Sequence, residues 1–567
     1  MGFRPLLFAK IFRNRGKMYH TISEKSEQHN SQPGGILIAA TASDSGKTTF
    51  TCGLLRLLVQ KGLNPCAFKC GPDYIDPSFH KRVLGVPSFN LDPFFTGDKV
   101  LRQLYETHSK AHGISVIEGA MGYYDGLGFT DEASTYSVAK ALDIPVLLLV
   151  DCKGMGHSVM AAVEGFVKHR QPSGIKAVLF NRMAPSLYEK AAESVCALGI
   201  SPLGYLPENK ELCLESRHLG LVMADEVQDF TEKIDGIAGL IAETVDVDGI
   251  VKLAGSGMPA QSRQFGAHFK EIESIKSAAY ISSADCENKI AAGNKTRYEK
   301  EKTVDKAGQV TFAEVNKPCT VLRIAVAQDE AFCFLYEDNL NFLREKGAEI
   351  VFFSPLHDCS LPAGCDALYL SGGYPELYAG QLEQNGSMKK DIREKIASGM
   401  PCIAECGGFL YLHEQLEALE KMTDQNSQER AGNAVGRIEP EKPEQVTKQS
   451  MGAEKQHFYE MEGVIPAQAV NRRRKGRFGY IEVTLMQDCL LGQKGDSFRA
   501  HEFHYWESTM KQADLHVLKP GNGNTWTEGL CTDTLYAGFP HLYFYGSPEV
   551  GENFLAAAER YGDKLPE

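Results

Sequence analysis

The sequence lacks the signatures of several broad classes of protein. Its 567 residues include 15 cysteines but no C-x-x-C pair, so a zinc ribbon or a cluster site of that spacing is not indicated. The longest apolar run, IPVLLLV at residues 144–150, is far shorter than the ~20 residues that a membrane helix needs. The net charge of −13 argues against a general nucleic-acid-binding protein. Scattered thiols without a disulfide pattern favour a reduced, cytoplasmic protein with no membrane or nucleic-acid partner.

The length and the apolar pattern predict two α/β domains. Residues 35–254 alternate short, fully apolar runs with amphipathic stretches, as in a doubly wound parallel sheet, and residues 321–567 begin a second unit of this kind. Residues 255–320 are polar and carry charges of both signs, so we predict a linker with some helix. Residues 1–34 read as a flexible leader, or as sequence before an alternative start at Met18. A polar insertion is predicted at about 421–457.

A candidate phosphate-binding loop follows the first apolar run. The stretch ILIAATASDSGKTTF reads strand, loop, helix, and ends its loop in Gly46-Lys47-Thr48. Backbone N–H groups at such a helix start cradle phosphates, the lysine neutralises the β and γ charges, and the threonine hydroxyl binds Mg²⁺. The strict motif has glycine where this chain has Thr41. The predicted ATP-binding residues are Thr41, Ser43, Ser45, Gly46, Lys47, Thr48 and Thr49.

Acidic residues follow two further strands. Asp73 and Asp76 lie in FKCGPDYIDPSFH, and Glu118 ends the apolar run VIE. Catalytic groups collect at the carboxyl ends of parallel strands, and a buried acid there needs a cation or another partner. We therefore predict that Thr48, Asp73 and Glu118 bind Mg²⁺. A plain turn with solvated carboxylates is an equally good interpretation of Asp76, and of Asp125 in the later loop.

These motifs together resemble a known family. ATASDSGKTT, FKCGPDYIDPSFH, FNLDPFF, VIEGAMGYYDG, AVLFNRM, LGYLP and ESRHLGLV are similar to the ATP-binding half of the cobyrinate a,c-diamide synthase family, which itself resembles dethiobiotin synthetase. That family has threonine at the position of Thr41, and usually glycine where this chain has Ala40. The resemblance implies a P-loop NTPase-like sheet that uses ATP and Mg²⁺, with Tyr74, Asp76 and Asp125 near the carboxylate being activated.

The second half resembles the class I glutamine amidotransferase domain of the same family. The similar stretches are AVAQDEAFCFLYEDNLNFLREKGAEIVFFSPL, LYLSGGYPELYA, CIAECGGFLYL, HEFHY and GFPHLYFYGSPE. Cys406 follows a strand and precedes a helix, with the small residues Ala404 and Gly408 two positions away on either side. A nucleophile elbow needs this arrangement because bulky side chains clash in so tight a turn. A helix N-terminus is also expected to lower the pKa of the thiol.

The resemblance implies the partners of this nucleophile. It makes His541 the catalytic base, and it matches Gly372 and Gly373 to the loop whose N–H groups stabilise the oxyanion. The usual class I enzyme has glutamate two residues after the histidine, where this chain has Tyr543, so we expect a Cys–His dyad or a differently placed third member. His501 and His504 remain alternative bases. The basic run at 471–477 is interpreted as a solvated run, with binding of substrate carboxylates as the alternative.

The resemblance implies a two-site ligase. Glutamine would supply ammonia at Cys406, and ATP would activate the a and c carboxylates of cobyrinate as acyl phosphates, with a dry passage between the sites. The same amidation on another tetrapyrrole, such as Ni-sirohydrochlorin, remains an alternative. A non-catalytic ATP switch of the partition type shares the deviant loop, but would have no use for a glutaminase half. The oligomeric state is left open, a homodimer being one expectation.

Overall fold

The computed structural model describes residues 34–209, 227–255, 299–304, 310–315, 321–419, 456–472 and 476–563. The leader, the motif ESRHLGLV and most of the predicted insertion lie outside these ranges. Within them, no helix combines the length and apolar character that crossing a membrane requires.

The N-terminal half is built on a seven-stranded parallel sheet in the order β3-β2-β4-β1-β5-β6-β7. Its strands are β1 (Gly35–Ala40), β2 (Pro65–Cys70), β3 (Ser88–Leu91), β4 (Ile114–Glu118), β5 (Val146–Asp151), β6 (Ile175–Asn181) and β7 (Ser201–Leu206). Its helices are α1 (Lys47–Gln60), α2 (Ile75–Leu84), α3 (Pro93–Ser109), α4 (Thr135–Leu142), α5 (Val159–His169), α6 (Pro185–Ala197), α7 (Val227–Thr244) and α8 (Val247–Leu253).

Both faces of this sheet are covered by helices. Strand β1 is buried throughout, because alternate side chains enter two different apolar clusters. Ile36 and Ile38 pack with residues of α1 and α7, whereas Leu37 and Ala39 pack with residues of α3, α4 and α5. Two-sided burial explains why this strand is apolar at every position rather than at every second one.

The C-terminal half contains a six-stranded sheet in the order β11-β10-β12-β13-β23-β22, parallel except for the edge strand β22. These strands are β10 (Arg323–Ala327), β11 (Glu349–Phe353), β12 (Ala367–Leu370), β13 (Cys402–Glu405), β22 (Leu530–Cys531) and β23 (Leu535–Gly538). The helices are α9 (Glu337–Glu345), α10 (Ala379–Gln384), α11 (Gly386–Ala397), α12 (Gly407–Tyr411) and α13 (Pro548–Gly562), with a 3₁₀ turn at Pro375–Leu377.

Two four-stranded sheets and a hairpin complete the described chain. One sheet has the order β15-β14-β16-β19 and the other β18-β17-β20-β21. Their strands are β14 (His413–Leu419), β15 (Gln456–Glu460), β16 (Ile465–Asn471), β17 (Phe478–Leu485), β18 (Ser497–Phe503), β19 (Trp506–Ser508), β20 (Leu515–Leu518) and β21 (Thr525–Glu528). Strands β8 (Glu299–Val304) and β9 (Val310–Val315) form an antiparallel pair. This pair lies within the predicted linker, where the β-branched residues of KTV and VTF favour strands, and the helix expected elsewhere in the linker stays a prediction.

The two halves meet through a cluster of aromatic side chains. It contains Tyr74, Phe94, Phe95 and Leu104 of the N-terminal half and Phe334, Tyr336 and Tyr543 of the C-terminal half. Polar contacts surround it. The Tyr480 hydroxyl donates to Asp92 Oδ2 over 2.8 Å, and His108 Nε2 lies 2.8 Å from Asp338 Oδ1. The carboxyl ends of the two central sheets therefore lie on either side of one apolar contact.

Candidate active sites

The predicted phosphate loop has the backbone that such a loop requires. It leaves β1 at Thr41, and helix α1 begins at Lys47. Gly46 has φ 91°, and a Cβ there would lie 2.4 Å from Asn181 Nδ2, so only glycine fits this turn. Ser45 is buried and donates to Ala42 O, whereas Ser43 is exposed and Thr49 is half-buried. The Lys47 ammonium donates to the carbonyls of Ala42 and Met121.

A lysine that sequence reasoning did not select lies at the centre of the acidic residues. Lys69 Nζ is 2.5 Å from Asp76 Oδ2, 2.7 Å from Glu118 Oε1 and 3.8 Å from Asp73 Oδ2. Lys69 is directly opposite Glu118 in the register of β2 and β4, which brings the two side chains together. The Thr48 hydroxyl donates to Glu118 Oε1 over 2.7 Å and lies 3.5 Å from Asp76 Oδ2. We call Lys69, Asp73, Asp76 and Glu118 the charged cluster.

Burial and mutual contact shift the pKa values in this region. Burial raises the pKa of Glu118 to about 7, and burial with the adjacent Asp76 raises the pKa of Asp73 to about 6. Burial opposes ionisation of Asp76 as well, but Lys69 lowers its pKa below the ordinary value. Burial and the nearby Lys69 lower the pKa of Lys47 to about 8. Asp73 and Glu118 therefore have pKa values much closer to neutral pH than ordinary carboxyl groups.

The structure places the predicted acidic residues in different surroundings. Asp73 Oδ1 accepts from the N–H groups of Ile75 and Asp76 at the start of α2, and its role as a magnesium ligand stays a prediction. Asp76, which we assigned to the substrate, is instead the carboxylate beside Thr48 and Glu118. Asp125 is exposed, and its Oδ2 accepts from Gly122 N over 2.9 Å.

Tyr74 does not face the charged cluster. Its ring is 8% exposed and contacts the rings of Phe334, Tyr336 and His541, with centroid distances of 5.3, 4.4 and 4.9 Å. These contacts do not test the predicted place of Tyr74 near a substrate carboxylate, which stays a prediction. The side chain reaches from the start of α2 into the other half of the molecule.

The Cys406 turn has the strained backbone of a nucleophile elbow. Cys406 lies between β13 and α12 with φ 45° and ψ −98°, a region that residues with a side chain rarely adopt. A Cβ on Gly408 would lie 2.3 Å from Leu370 O, which explains the small residue there. Burial and the nearby Glu376 and Glu405 raise the pKa of the thiol. This direction is opposite to the expected lowering, because burial outweighs the hydrogen bond from the Gly407 N–H, which lowers the pKa of the thiol.

The Gly372-Gly373 pair lies against this turn. A Cβ on Gly407 would lie 2.7 Å from Gly373 N, so that N–H group is within close reach of the residue after the nucleophile. A Cβ on Gly372 would lie 2.5 Å from His541 Cε1. The pair thus packs against both the start of α12 and the His541 ring with backbone alone, and its role as the oxyanion loop stays a prediction.

His541 is fully buried beside a carboxylate. Its backbone N–H donates to His501 O, and neither ring nitrogen has a hydrogen-bond partner among the described residues. Its Nδ1 lies 3.6 Å from Glu405 Oε2. Tyr543, at the position where the usual class I enzyme has glutamate, donates its hydroxyl to Asp338 Oδ2 over 2.8 Å. The carboxylate near the histidine therefore comes from Glu405, the residue before Cys406.

The alternative bases occupy other positions. His504 Nδ1 lies 2.6 Å from Trp506 O, and its ring stacks on Phe539 at 3.7 Å. Burial lowers the pKa of His501 to about 3. In the basic run, of which residues 473–475 lie outside the described ranges, Arg472 pairs with Glu507 and Arg477 with Glu528. The surroundings of His501 and His504 and the ion pairs of Arg472 and Arg477 favour structural roles for these four residues.

Three residues of the two sites were missed. Lys69 and Glu405 each place a charge at the end of a buried strand, the same signal that selected Glu118. Asn181 Nδ2 donates to Ser45 O over 2.8 Å, and nothing in the spacing of AVLFNRM indicates that contact.

The two halves match two family models. The CobQ/CobB/MinD/ParA nucleotide binding domain matches residues 36–222, and the CobB/CobQ-like glutamine amidotransferase domain matches residues 323–549. Fold and sites thus define a two-domain, nucleotide-binding glutamine amidotransferase, which confirms the predicted fold class.

Full-length relatives specify the family. The cobyrinate a,c-diamide synthase of Listeria innocua is 34% identical over 536 residues, covering 93% of this chain and 99% of that protein. Those of Salmonella typhimurium and Caldanaerobacter subterraneus are 34% and 32% identical, over 93% of this chain and 98% and 99% of theirs. The chain belongs to the cobyrinate a,c-diamide synthase family, and it is a glutamine-dependent amide ligase.

Proposed function

We propose that the protein uses ATP and glutamine to convert the a and c side-chain carboxylates of cobyrinate to amides, in cobalamin biosynthesis. The main observation that supports this proposal is that one short segment reaches both the charged cluster and His541. The first turn of α2 supplies Asp76 to the charged cluster and is preceded by Tyr74, whose ring contacts His541. Relatives that align over nearly their whole length bear the name of this activity.

In the glutaminase half, Cys406 is the nucleophile. Its sulfur attacks the amide carbon of glutamine, and the oxygen of that amide turns toward the N–H groups of the Gly372-Gly373 loop. His541 takes the thiol proton and returns it to the departing ammonia. Water then cleaves the thioester and releases glutamate, with His541 as the base. The catalytic pair is thus Cys406 and His541.

The nucleotide half is proposed to hold Mg-ATP. The residues fit a magnesium ion, because the Thr48 hydroxyl, Asp76 and Glu118 converge and Glu118 Oε2 has no hydrogen-bond partner within the described ranges. This set replaces Asp73 of the predicted set by Asp76. When bound, the ion would neutralise charge on the β- and γ-phosphates. Thr41, Gly46 and the rest of the loop would hold the phosphates.

The acceptor carboxylate is activated in the same half. Its oxygen attacks the γ-phosphorus, the bond to ADP breaks, and an acyl phosphate forms. Ammonia then attacks the acyl carbon, phosphate leaves, and the nitrogen loses a proton. The apolar contact between the halves would keep ammonia unprotonated in transit.

Separate nitrogen sources test the proposal. Cys406→Ala is expected to lose glutamine-dependent amidation while keeping amidation with ammonia, and Glu118→Gln is expected to lose both. Product is identified by mass after incubation with cobyrinate and, in parallel, Ni-sirohydrochlorin. Glutaminase activity that survives in Cys406→Ala would contradict the nucleophile. Amidation of Ni-sirohydrochlorin alone would replace cobyrinate as the substrate.

A further inference from the structure

The glutaminase site lacks an acid at the usual position after its histidine. Tyr543 occupies that position, and its hydroxyl is engaged with Asp338, which also contacts His108. A histidine base needs a partner that holds one ring nitrogen protonated and turned away from the nucleophile. The acid must therefore come from another part of the chain.

We infer that Glu405 is the positioning residue of His541. Its Oε2 lies 3.6 Å from His541 Nδ1, and the carboxylate is 2% exposed. Its other oxygen accepts from Leu542 N over 3.0 Å and from the Tyr369 hydroxyl over 3.1 Å. The carboxylate is thus fixed by the residue after the histidine and by a neighbouring strand. Catalytic hydrogen bonds are often longer without substrate and shorten in the complex.

Glu405 and His541 have complementary roles in removing the proton of the Cys406 thiol. Glu405 receives the Nδ1–H of His541 and does not itself take the proton, so Nε2 is left as the base for the Cys406 thiol. After proton transfer the carboxylate stabilises the imidazolium. Because Glu405 directly precedes Cys406, the elbow that presents the sulfur also sets the orientation of its base.

Glu405→Gln tests this inference, which rests on the proposed glutaminase reaction. Glutamine hydrolysis, assayed without any acceptor, is expected to fall about 10²–10⁴-fold in kcat, while ammonia-dependent amidation persists. Hydrolysis without acceptor also separates this result from an error in the assigned substrate. Tyr543→Phe is the matched control, and it is expected to keep the wild-type rate of hydrolysis. Tyr369→Phe, which removes one of the two hydrogen bonds to Glu405 Oε1, is expected to show a smaller loss.

The pH profile of glutamine hydrolysis distinguishes a positioning role of Glu405 from a purely structural one. The titratable groups around His541 are Glu405, the Tyr74 phenol and His501, with the Cys406 thiol at the adjacent strand end. Loss of the carboxylate favours neutral imidazole, so the acid limb of kcat/KM for hydrolysis moves to lower pH in Glu405→Gln. An unshifted limb, or a wild-type kcat, would overturn the inference.

A second inference rests on a separate pair of thiols. Cys489 Sγ and Cys531 Sγ lie 2.7 Å apart, against about 2.05 Å in a disulfide. Their backbones are already held together, since Gln487 Nε2 donates to Cys531 O and Leu490 N donates to Thr532 O, each over 2.7 Å. We propose that this pair is a site of reversible oxidation by a small disulfide such as glutathione disulfide.

Oxidation of the cysteine pair takes two steps of thiol–disulfide exchange. Cys489, the less buried of the two, attacks one sulfur of the oxidant as the thiolate and releases one thiol. Cys531 then attacks the mixed disulfide and releases the second thiol. The protein loses two hydrogens, and the oxidant becomes two thiols.

Peptide mapping after treatment of the full chain with glutathione disulfide tests this site. The expected product is a peptide cross-linked between Cys489 and Cys531 with no glutathione retained. The exposed Cys196 and Cys359 serve as internal controls and should carry only mixed disulfides. In Cys531→Ser, glutathione is expected to remain on Cys489. A wild-type Cys489 that stays reduced, or that retains glutathione, would overturn the proposal.

Discussion

Lys69→Met should destabilise the N-terminal half strongly, because it removes the cation from a buried group of carboxylates. The ammonium contacts Asp76 at 2.5 Å and Glu118 at 2.7 Å, and its side chain is only 7% exposed. Removing one partner of such a pair leaves uncompensated buried charge and costs about 3–5 kcal/mol. For a domain of this size, the loss corresponds to a fall in Tm of roughly 10 °C.

The loss should depend on pH. Without Lys69, the folded carboxylates have pKa values above those of the unfolded chain, so the folded variant binds an extra proton. The loss of stability in Lys69→Met is therefore largest at alkaline pH. It shrinks as the pH falls through the folded-state pKa values of the buried carboxylates. Each extra proton that the folded variant binds restores up to about 1.4 kcal/mol of its unfolding free energy per pH unit.

Thermal unfolding followed by circular dichroism at about pH 8 and about pH 6 measures both effects. The matched control is Lys81→Met, because the Lys81–Glu337 pair has the same 2.7 Å contact but Lys81 is 60% exposed. That change should cost about 0–1 kcal/mol. A Lys69→Met variant as stable as Lys81→Met at the higher pH would refute the reasoning, as would a deficit that does not shrink at the lower pH.

Two further predictions follow from the site geometry. In Gly372→Ala the new Cβ, 2.5 Å from His541 Cε1, should displace the ring and reduce glutamine hydrolysis at least about 10²-fold while ammonia-dependent amidation persists. Gly386→Ala, where a Cβ meets nothing within 4 Å, is the control, and equal rates in the two variants would contradict the placement of the histidine. Because Glu118 has a pKa of about 7 and must ionise to bind Mg²⁺, affinity for Mg-nucleotide should fall as the pH drops below 7, by up to about tenfold per unit. Calorimetry in two buffers should show net proton release near pH 6 and net proton uptake near pH 8.5, where Lys47, its pKa lowered to about 8, gains a proton beside the phosphates; equal release at both would contradict this assignment.

Local features could be predicted from the sequence, whereas side-chain contacts between neighbouring strands could not. The phosphate loop, the elbow at Cys406 and the two-domain α/β fold follow from short motifs and apolar patterning. Lys69 reaches Glu118 only because β2 and β4 lie side by side in a particular register, and no spacing along the chain encodes that register. Glu405 was detectable as a charge in a buried strand, but its partner lies 136 residues further on and becomes evident only in the folded chain.

The place of Tyr74 makes the two sites mechanically dependent. Asp73 caps α2, Tyr74 lies against His541, and Asp76 binds Lys69, so four consecutive residues touch both reaction centres. Any displacement of this turn at the charged cluster also displaces the ring that lies against His541, so one short rigid segment carries a change at either site to the other.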